Sequence, residues 1–190
     1  MDKCCETCGL WQYSDCPMIL GRGNDIDPKI VLIGEAPDPD EGKKGIPFIG
    51  RAGKKLDSMI KEALDNNDVF ITNMVKCFPP ASTKNPSKGF RVPKESEIEL
   101  CKPFLIDELG NFASKTTLMT LGNIALFGLI GKNHGITKEA GIKRIVKVGN
   151  TLYNLVPNYH PSFILRNNNY EKEFRRIFDE TYKEKNNVSE

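Results

Sequence analysis

The sequence lacks any apolar run long enough to cross a membrane, so we expect no transmembrane segment and no membrane partner. Its first ten residues, MDKCCETCGL, lack the apolar stretch and cleavage region of a signal peptide, which favours a cytoplasmic, intracellular location. The chain also lacks an excess of either charge, because 27 Lys and Arg residues face 25 Asp and Glu residues. The net charge of +2 does not by itself indicate a nucleic-acid partner, so any basic surface must be local.

The remaining composition is that of an ordinary globular protein. Of the 190 residues, 39% are hydrophobic and 27% are charged, which excludes a disordered or fibrous chain. This length supports one well-formed core, so we expect a single domain over residues 1–190 and a monomer. Within it, residues 1–28 form a separate N-terminal segment, and residues 186–190 are expected to be frayed.

Short apolar runs alternate with stretches of helical periodicity along the chain. The runs typical of buried strands are residues 29–34, 69–72, 116–121 and 151–156. The stretches predicted to be helical are residues 51–64, 93–112, a short segment after Gly122, and 170–185. The segments predicted as irregular are residues 35–50, 78–92 and 132–149. Strands that alternate with helices indicate an α/β fold around a parallel sheet.

In such sheets a ligand binds beyond the carboxyl ends of the strands. The loops that follow the first, second and last predicted strands cover residues 35–51, 73–77 and 160–166. We therefore expect the functional side chains in these three loops.

Four of the six cysteines have a spacing that suits a metal site. Cys5 and Cys8 form a C-x2-C pair, Cys77 follows the second predicted strand, and Cys101 lies in the next helix. Because intracellular thiols stay reduced, metal ligation is favoured over disulfides. One tetrahedral thiolate site would suit either zinc or an iron-sulfur cluster. The alternative is that Cys77 and Cys101 are buried thiols and only the N-terminal pair has a role.

The two remaining cysteines leave the first ligand open. Cys4 can replace Cys5 in a C-x3-C arrangement. Cys16 has no assigned role.

Four short motifs follow one another in a recognisable order. They are GEAP at 34–37, GIPFIGRAG at 45–53, NMVKC at 73–77 and HPS at 160–162. Each motif alone is weak, but together they resemble the family 4 uracil-DNA glycosylases. The resemblance extends from Cys5 to about Asn167.

This resemblance implies a three-layer α/β/α domain with a central, mostly parallel sheet. It implies an enzyme that flips uracil out of single- or double-stranded DNA, hydrolyses its N-glycosidic bond and leaves an abasic site. It also implies a structural 4Fe-4S cluster bound by Cys5, Cys8, Cys77 and Cys101, with zinc as the alternative. The N-terminal segment 1–28 would then be the cluster-binding segment.

Three residues are expected to recognise the base. The amide of Asn73 can donate one hydrogen bond to O4 of uracil and accept one from N3-H, which cytosine cannot match; the alternative is a turn-forming Asn. Phe48 lies in a loop with little core to fill and can stack on the flipped base, or it can anchor its loop. Glu41 matches the family position that blocks the thymine methyl group, although an acidic stretch is also typical of a solvated surface.

Two residues are expected to carry the chemistry. His160 can stabilise the departing uracil anion by a hydrogen bond to O2. Glu35 can stabilise the cationic sugar and orient the attacking water. Ala36, also expected at the base, stands where other uracil glycosylases carry an aspartate. The other histidine, His134, is expected to face solvent.

Further residues are expected to contact the DNA backbone and to fill the gap that the flipped base leaves in the duplex. Arg51 opens a predicted helix whose N-H groups can hold a phosphate. After His160, Ser162 and Arg166 are expected to contact DNA, and Leu165 or Ile164 to fill the gap in the duplex. The alternative for both apolar residues is ordinary core packing.

Two competing functions remain. Asp38 replaces a glycine that the family prefers, which leaves open a DNA-binding module that no longer cuts, or a glycosylase for hypoxanthine or xanthine. No lysine is marked for a lyase step. The loop before Cys101 contains basic residues but no histidine, so hydrolysis is expected rather than covalent trapping. These basic residues are Lys84, Lys88, Arg91 and Lys94.

Overall fold

The computed structural model describes residues 5–15, 18–61, 68–86, 89–131 and 135–187. Four residues named above lie outside these ranges: Cys4, Cys16, Lys88 and His134. The same holds for residues 62–64 of the predicted first helix and for residues 188–190 of the predicted frayed end.

A mixed sheet forms the centre of the described part of the chain. Its strands are β1 Arg22–Gly23, β2 Ile30–Gly34, β3 Val69–Asn73, β4 Thr117–Leu121, β5 Arg144–Val148 and β6 Thr151–Asn158. Their order is β1-β3-β2-β4-β6-β5. The four inner strands are parallel, whereas β1 and β5 pair with them in the antiparallel sense. The prediction of a mostly parallel sheet is therefore confirmed.

Helices cover both faces of this sheet. They are α1 Pro39–Lys44, α2 Arg51–Lys61, α3 Glu95–Leu109, α4 Asn123–Ile130, α5 Ile136–Glu139, α6 Pro161–Arg166 and α7 Glu171–Asn187. Because successive residues of a strand point to opposite faces, β2 contributes to two separate cores. Val31 and Ile33 pack in one core with α3 and α4, while Ile30 and Leu32 pack in the other with α2 and α7. The predicted three-layer α/β/α fold is confirmed.

Two segments predicted as irregular contain regular structure, and the predicted ends of one helix were wrong. The segment 35–50 contains α1, and the segment 132–149 contains α5 and β5. These elements have only four to six residues each, too few for a clear period. α3 begins at Glu95 and ends at Leu109, because Pro93 lies ahead of the helix and Gly110 follows its last turn.

The strand register brings the functional loops together. Gly34 at the end of β2 pairs with Asn73 at the end of β3, and Leu121 at the end of β4 pairs with Asn158 of β6. The backbone pairing continues past the strands, since Met74 N donates to Gly34 O at 2.9 Å. The loops after β2, β3 and β6 therefore leave the sheet at one edge.

None of the helices in the described ranges is both long enough and apolar enough to cross a membrane.

Candidate active site

The loop after β2 is held by a capping box at the start of α1. The Asp38 carboxylate accepts a hydrogen bond from Glu41 N at 2.9 Å, and Glu41 Oε2 accepts one from Asp38 N at 3.2 Å. Glu41 Oε1 also accepts from Ile49 N at 3.1 Å, so this one carboxylate joins α1 to the next loop. Glu41 is only 6% exposed, which excludes a solvated side chain. The pattern Asp-Pro-Asp-Glu is a capping-box signal that the sequence analysis missed.

Phe48 lies at the centre of this loop in a backbone conformation that is unusual for a residue with a side chain. Its φ is +56°, and the residue is 4% exposed. The expectation that the ring has little core to fill was wrong, because it packs in the core with Leu56. Gly53 permits this arrangement, since a Cβ on Gly53 would lie 1.8 Å from Phe48 O. The loop is thus anchored by its aromatic residue.

Gly34 is the point at which Phe48 and Asn73 meet. A Cβ built on Gly34 would lie 2.3 Å from Phe48 Cζ and 2.4 Å from Asn73 Oδ1. The Phe48 ring also lies beside His160, with 6.0 Å between the ring centroids. The expected base-stacking, base-reading and catalytic side chains are therefore neighbours in space.

Asn73 carries an unsatisfied hydrogen-bond donor. It is the last residue of β3 rather than part of a turn, and it is 1% exposed. Among the described residues, none accepts a hydrogen bond from Asn73 Nδ2. A buried donor without an acceptor costs about 1–3 kcal/mol, so such a group points to a ligand that supplies the acceptor.

His160 is oriented by the start of α6, where it is the N-cap residue. Its Nδ1 accepts a hydrogen bond from Ser162 N at 3.1 Å and lies 2.8 Å from Ser162 Oγ. Because a backbone N-H donates to Nδ1, the proton of the neutral ring is on Nε2. Burial lowers the pKa of His160 to about 4, and the charge of Arg166 adds to this effect. The ring is thus a neutral donor at physiological pH.

Two carboxyl groups at this edge have raised pKa values. Burial raises the pKa of Glu35, which directly follows β2. Burial and the nearby charge of Asp38 raise the pKa of Glu41 to about 7. Ala36 is half-buried and packs against the core below α4.

Ile164 and Leu165, which the sequence alone did not distinguish, differ in their burial within α6. Ile164 is fully buried in the core, whereas Leu165 is 43% exposed. Arg166, the next residue, is exposed, and so is Arg51 at the first position of α2. Ser162 contacts the His160 ring through both its N-H and its hydroxyl group. Of the two candidates for filling the gap in the duplex, only Leu165 is exposed.

The four predicted cysteine ligands lie in one region. Cys77 and Cys101 belong to one core cluster, and the partly buried Cys8 packs against it. The charge of Cys5 helps to raise the pKa of Cys8, which is raised mainly by burial. Burial raises the pKa of Cys101 to about 12, and the charges of Cys77 and Cys8 also raise it. Within the described ranges, however, no three Cys, His, Asp or Glu side chains are already spaced as metal ligands.

One residue next to the site, Arg22, was not predicted from the sequence. Its guanidinium donates to the carbonyls of Pro47 and Phe48 and pairs with Asp57. No signal in the sequence marks it, because β1 has only two residues.

Comparisons with known proteins identify a family and several relatives of this chain. The family model of the uracil DNA glycosylase superfamily matches residues 20–182. A protein of Sulfurisphaera tokodaii named type-4 uracil-DNA glycosylase is 37% identical over 94% of this chain and 77% of its own length. Proteins with the same name from Thermotoga maritima and Saccharolobus solfataricus are 36% and 32% identical, over 92% and 94% of this chain and 84% and 79% of their own lengths.

Proposed function

The chain belongs to the uracil DNA glycosylase superfamily, and we propose that it is a DNA-repair enzyme that hydrolyses the N-glycosidic bond of uracil. The product is DNA with an abasic site, and no lyase step follows. The observation that carries the proposal is the buried Asn73 amide, whose Nδ2 has no acceptor among the described residues.

Base recognition depends on the two ends of that amide. Asn73 Nδ2 donates to O4 of a flipped uracil, and Oδ1 accepts from N3-H. Cytosine presents the reverse pattern and leaves both groups unpaired. The Phe48 ring, adjacent to Asn73 across Gly34, supplies the stacking surface.

Bond cleavage leaves negative charge on uracil and positive charge on the sugar. His160 donates from Nε2 to the uracil O2 and stabilises the anion, in the manner of an oxyanion hole. The Glu35 carboxylate stabilises the sugar cation and orients the water that attacks it. Ala36 follows Glu35, so the position at which other uracil glycosylases carry an aspartate has no carboxylate in this chain.

Glu41 limits the pocket to uracil. Its buried side chain holds α1 and the Phe48 loop together, so the wall against a C5 methyl group is fixed from two sides. Asp38 was the only feature that favoured a module that binds DNA without cutting it. The Asp38 carboxylate caps the start of α1, which explains why an aspartate is present there. The residues proposed to bind and cleave uracil are all retained.

The DNA is held on the same edge of the sheet. Leu165 fills the gap left by the flipped base, while Arg166 and Arg51 contact phosphates. Both single-stranded and paired uracil are substrates, and flipping costs least in single strands.

The four cysteines Cys5, Cys8, Cys77 and Cys101 would bind a 4Fe-4S cluster, with zinc as the alternative. Two of the four sulfur atoms already accept backbone hydrogen bonds: Cys77 from Met18 N at 3.4 Å and Cys101 from Lys76 N at 3.2 Å. Such bonds stabilise thiolates, the form that binds metal. When bound, the cluster would tie the N-terminal segment to β3 and α3.

Serine at Cys101 is expected to abolish iron and sulfide binding and to lower the thermal midpoint by about 10 °C, because metal binding contributes directly to folding. Iron, sulfide and zinc analysis of the purified Cys101→Ser variant measures this.

Cys4→Ser is the matched control for Cys5→Ser. Full iron in the first and none in the second supports Cys5 as ligand, and the opposite result assigns the ligand to Cys4.

The pH profile is expected to have an acid limb that belongs to Glu35. The carboxylate must be ionised, and its raised pKa means that kcat/KM falls about tenfold per pH unit below a midpoint above 4.5. His160 stays neutral down to about pH 4 and does not contribute above that.

Glu35→Gln should therefore lower the kcat/KM that is reached above the Glu35 pKa and should remove this acid limb. Asp38→Asn is the control, since asparagine retains the cap and lowers the pKa of Glu41 but not that of Glu35. A limb that survives in Glu35→Gln would assign the titration to another group.

The proposed function is tested with labelled oligonucleotides that contain uracil, hypoxanthine or thymine, single-stranded and opposite guanine. Alkali then reveals abasic sites. We expect cleavage at uracil and none at thymine. Tight binding without cleavage of any base would contradict the proposal.

A further inference from the structure

Arg22 connects the sheet to the loop that carries Phe48. Its Nε donates to Pro47 O at 2.9 Å, and one terminal nitrogen donates to Phe48 O at 3.2 Å. The guanidinium is a planar fork with several donors, so it fixes the direction of two consecutive carbonyls at once.

The arginine is itself held from two sides. The same terminal nitrogen pairs with Asp57 Oδ1 of α2 at 2.6 Å. Its backbone belongs to β1, where Arg22 is in register with Ile71 of β3. The preceding Gly21 N donates to the Glu108 carboxylate at 2.7 Å. The guanidinium is therefore fixed relative to β3, the strand that ends in Asn73.

Phe48 needs such support because its backbone is in the left-handed region, with a φ of +56°. A residue with a side chain remains there only when its surroundings hold it. The Phe48 carbonyl oxygen lies so close to Gly53 that a Cβ on that residue would be 1.8 Å from it. The same oxygen accepts the hydrogen bond from Arg22.

We propose that Arg22 is a positioning residue that holds the Phe48 ring in place to stack on the flipped base, with Asp57 as its partner. This inference rests on the proposed function. Arg22 touches neither the base nor Asn73 and acts only through the Phe48 loop.

A double-mutant cycle tests the inference. Arg22→Ala and Phe48→Ala are each expected to lower the single-turnover rate of uracil excision about 10- to 100-fold, because a small displacement of the stacking group costs that much. If Arg22 acts through Phe48, the double variant is no slower than Phe48→Ala alone. Arg22→Lys should recover part of the rate, since one carbonyl can still be held.

Arg176→Ala is the matched control. Arg176 is also ion-paired, to Glu173 and Glu180, but on α7 and away from the loop, and its loss should leave the rate unchanged. The affinity for uracil-free DNA, measured by fluorescence anisotropy, should stay within about twofold in Arg22→Ala, because Arg22 is not expected to contact phosphate.

Rate losses that multiply in the double variant would overturn the inference, as would an Arg22→Ala rate equal to wild type. A drop in affinity for uracil-free DNA would overturn it too, since Arg22 would then be a phosphate contact. Wild-type protein that does not excise uracil contradicts the proposed function itself, so the two failures are distinguishable.

Discussion

Alanine at position 73 is expected to lower the single-turnover rate of uracil excision by about 10³-fold while DNA affinity stays near the wild-type value. Asn73 supplies both hydrogen bonds that read the base, and a site built to make such bonds loses two to five orders of magnitude without them. Rapid-quench kinetics with uracil-containing duplex measures the rate, and anisotropy measures the affinity.

The same substitution should not destabilise the protein. Asn73 Nδ2 has no acceptor among the described residues, so its removal relieves a buried polar group. The expected thermal midpoint is equal to or above that of wild type. Asn158→Ala is the contrast, because the Asn158 amide donates to Phe174 O and accepts from Tyr159 N. If Asn73→Ala instead lowers the midpoint as much as Asn158→Ala, then Asn73 has a structural role.

Replacing His160 by alanine is expected to lower kcat about 10²- to 10³-fold with little change in KM, since the hydrogen bond to O2 strengthens as charge develops on uracil. Steady-state kinetics separates the two constants. Ser162→Ala is the milder companion. It removes the hydroxyl at 2.8 Å from Nδ1 but keeps the backbone N-H that orients the ring.

A rise in KM of the same size with kcat unchanged would contradict the proposed role of His160 in stabilising the uracil anion. It would indicate instead that His160 contributes to ground-state binding. An acid limb near pH 6.5 that disappears in His160→Ala would also contradict that role. That result would mean that the imidazolium, rather than the neutral ring, takes part in the reaction.

The inner strands could be predicted because their sequences are short, continuous apolar runs. Residues 29–34 and 116–121 form β2 and β4 almost to the residue. β5 could not, because only Val146 and Val148 of this edge strand are buried and Lys147 interrupts its short apolar run. β1, with two residues, has no pattern at all and is defined only by its pairing with β3.

The site could be predicted as far as its residues stand next to strand ends. Asn73 is the last residue of β3, and Glu35 and His160 lie just beyond the carboxyl ends of β2 and β6, so the topology alone brings them together. The burial of Phe48 could not be predicted, because it depends on how its loop folds back onto the core. The hydrogen bonds from Arg22 could not be predicted either, because their acceptors lie 25 and 26 positions further along the chain. The role of Asp38 was available from a local pattern and was missed.

The identity of the base that the wild-type protein releases from DNA decides whether it is a uracil-DNA glycosylase. Duplexes that contain uracil and matched duplexes that contain cytosine are incubated with the protein, and the free bases are measured by chromatography. We expect free uracil, an abasic strand that breaks only in alkali, and no free cytosine. Release of cytosine, or a strand that breaks without alkali, would contradict it.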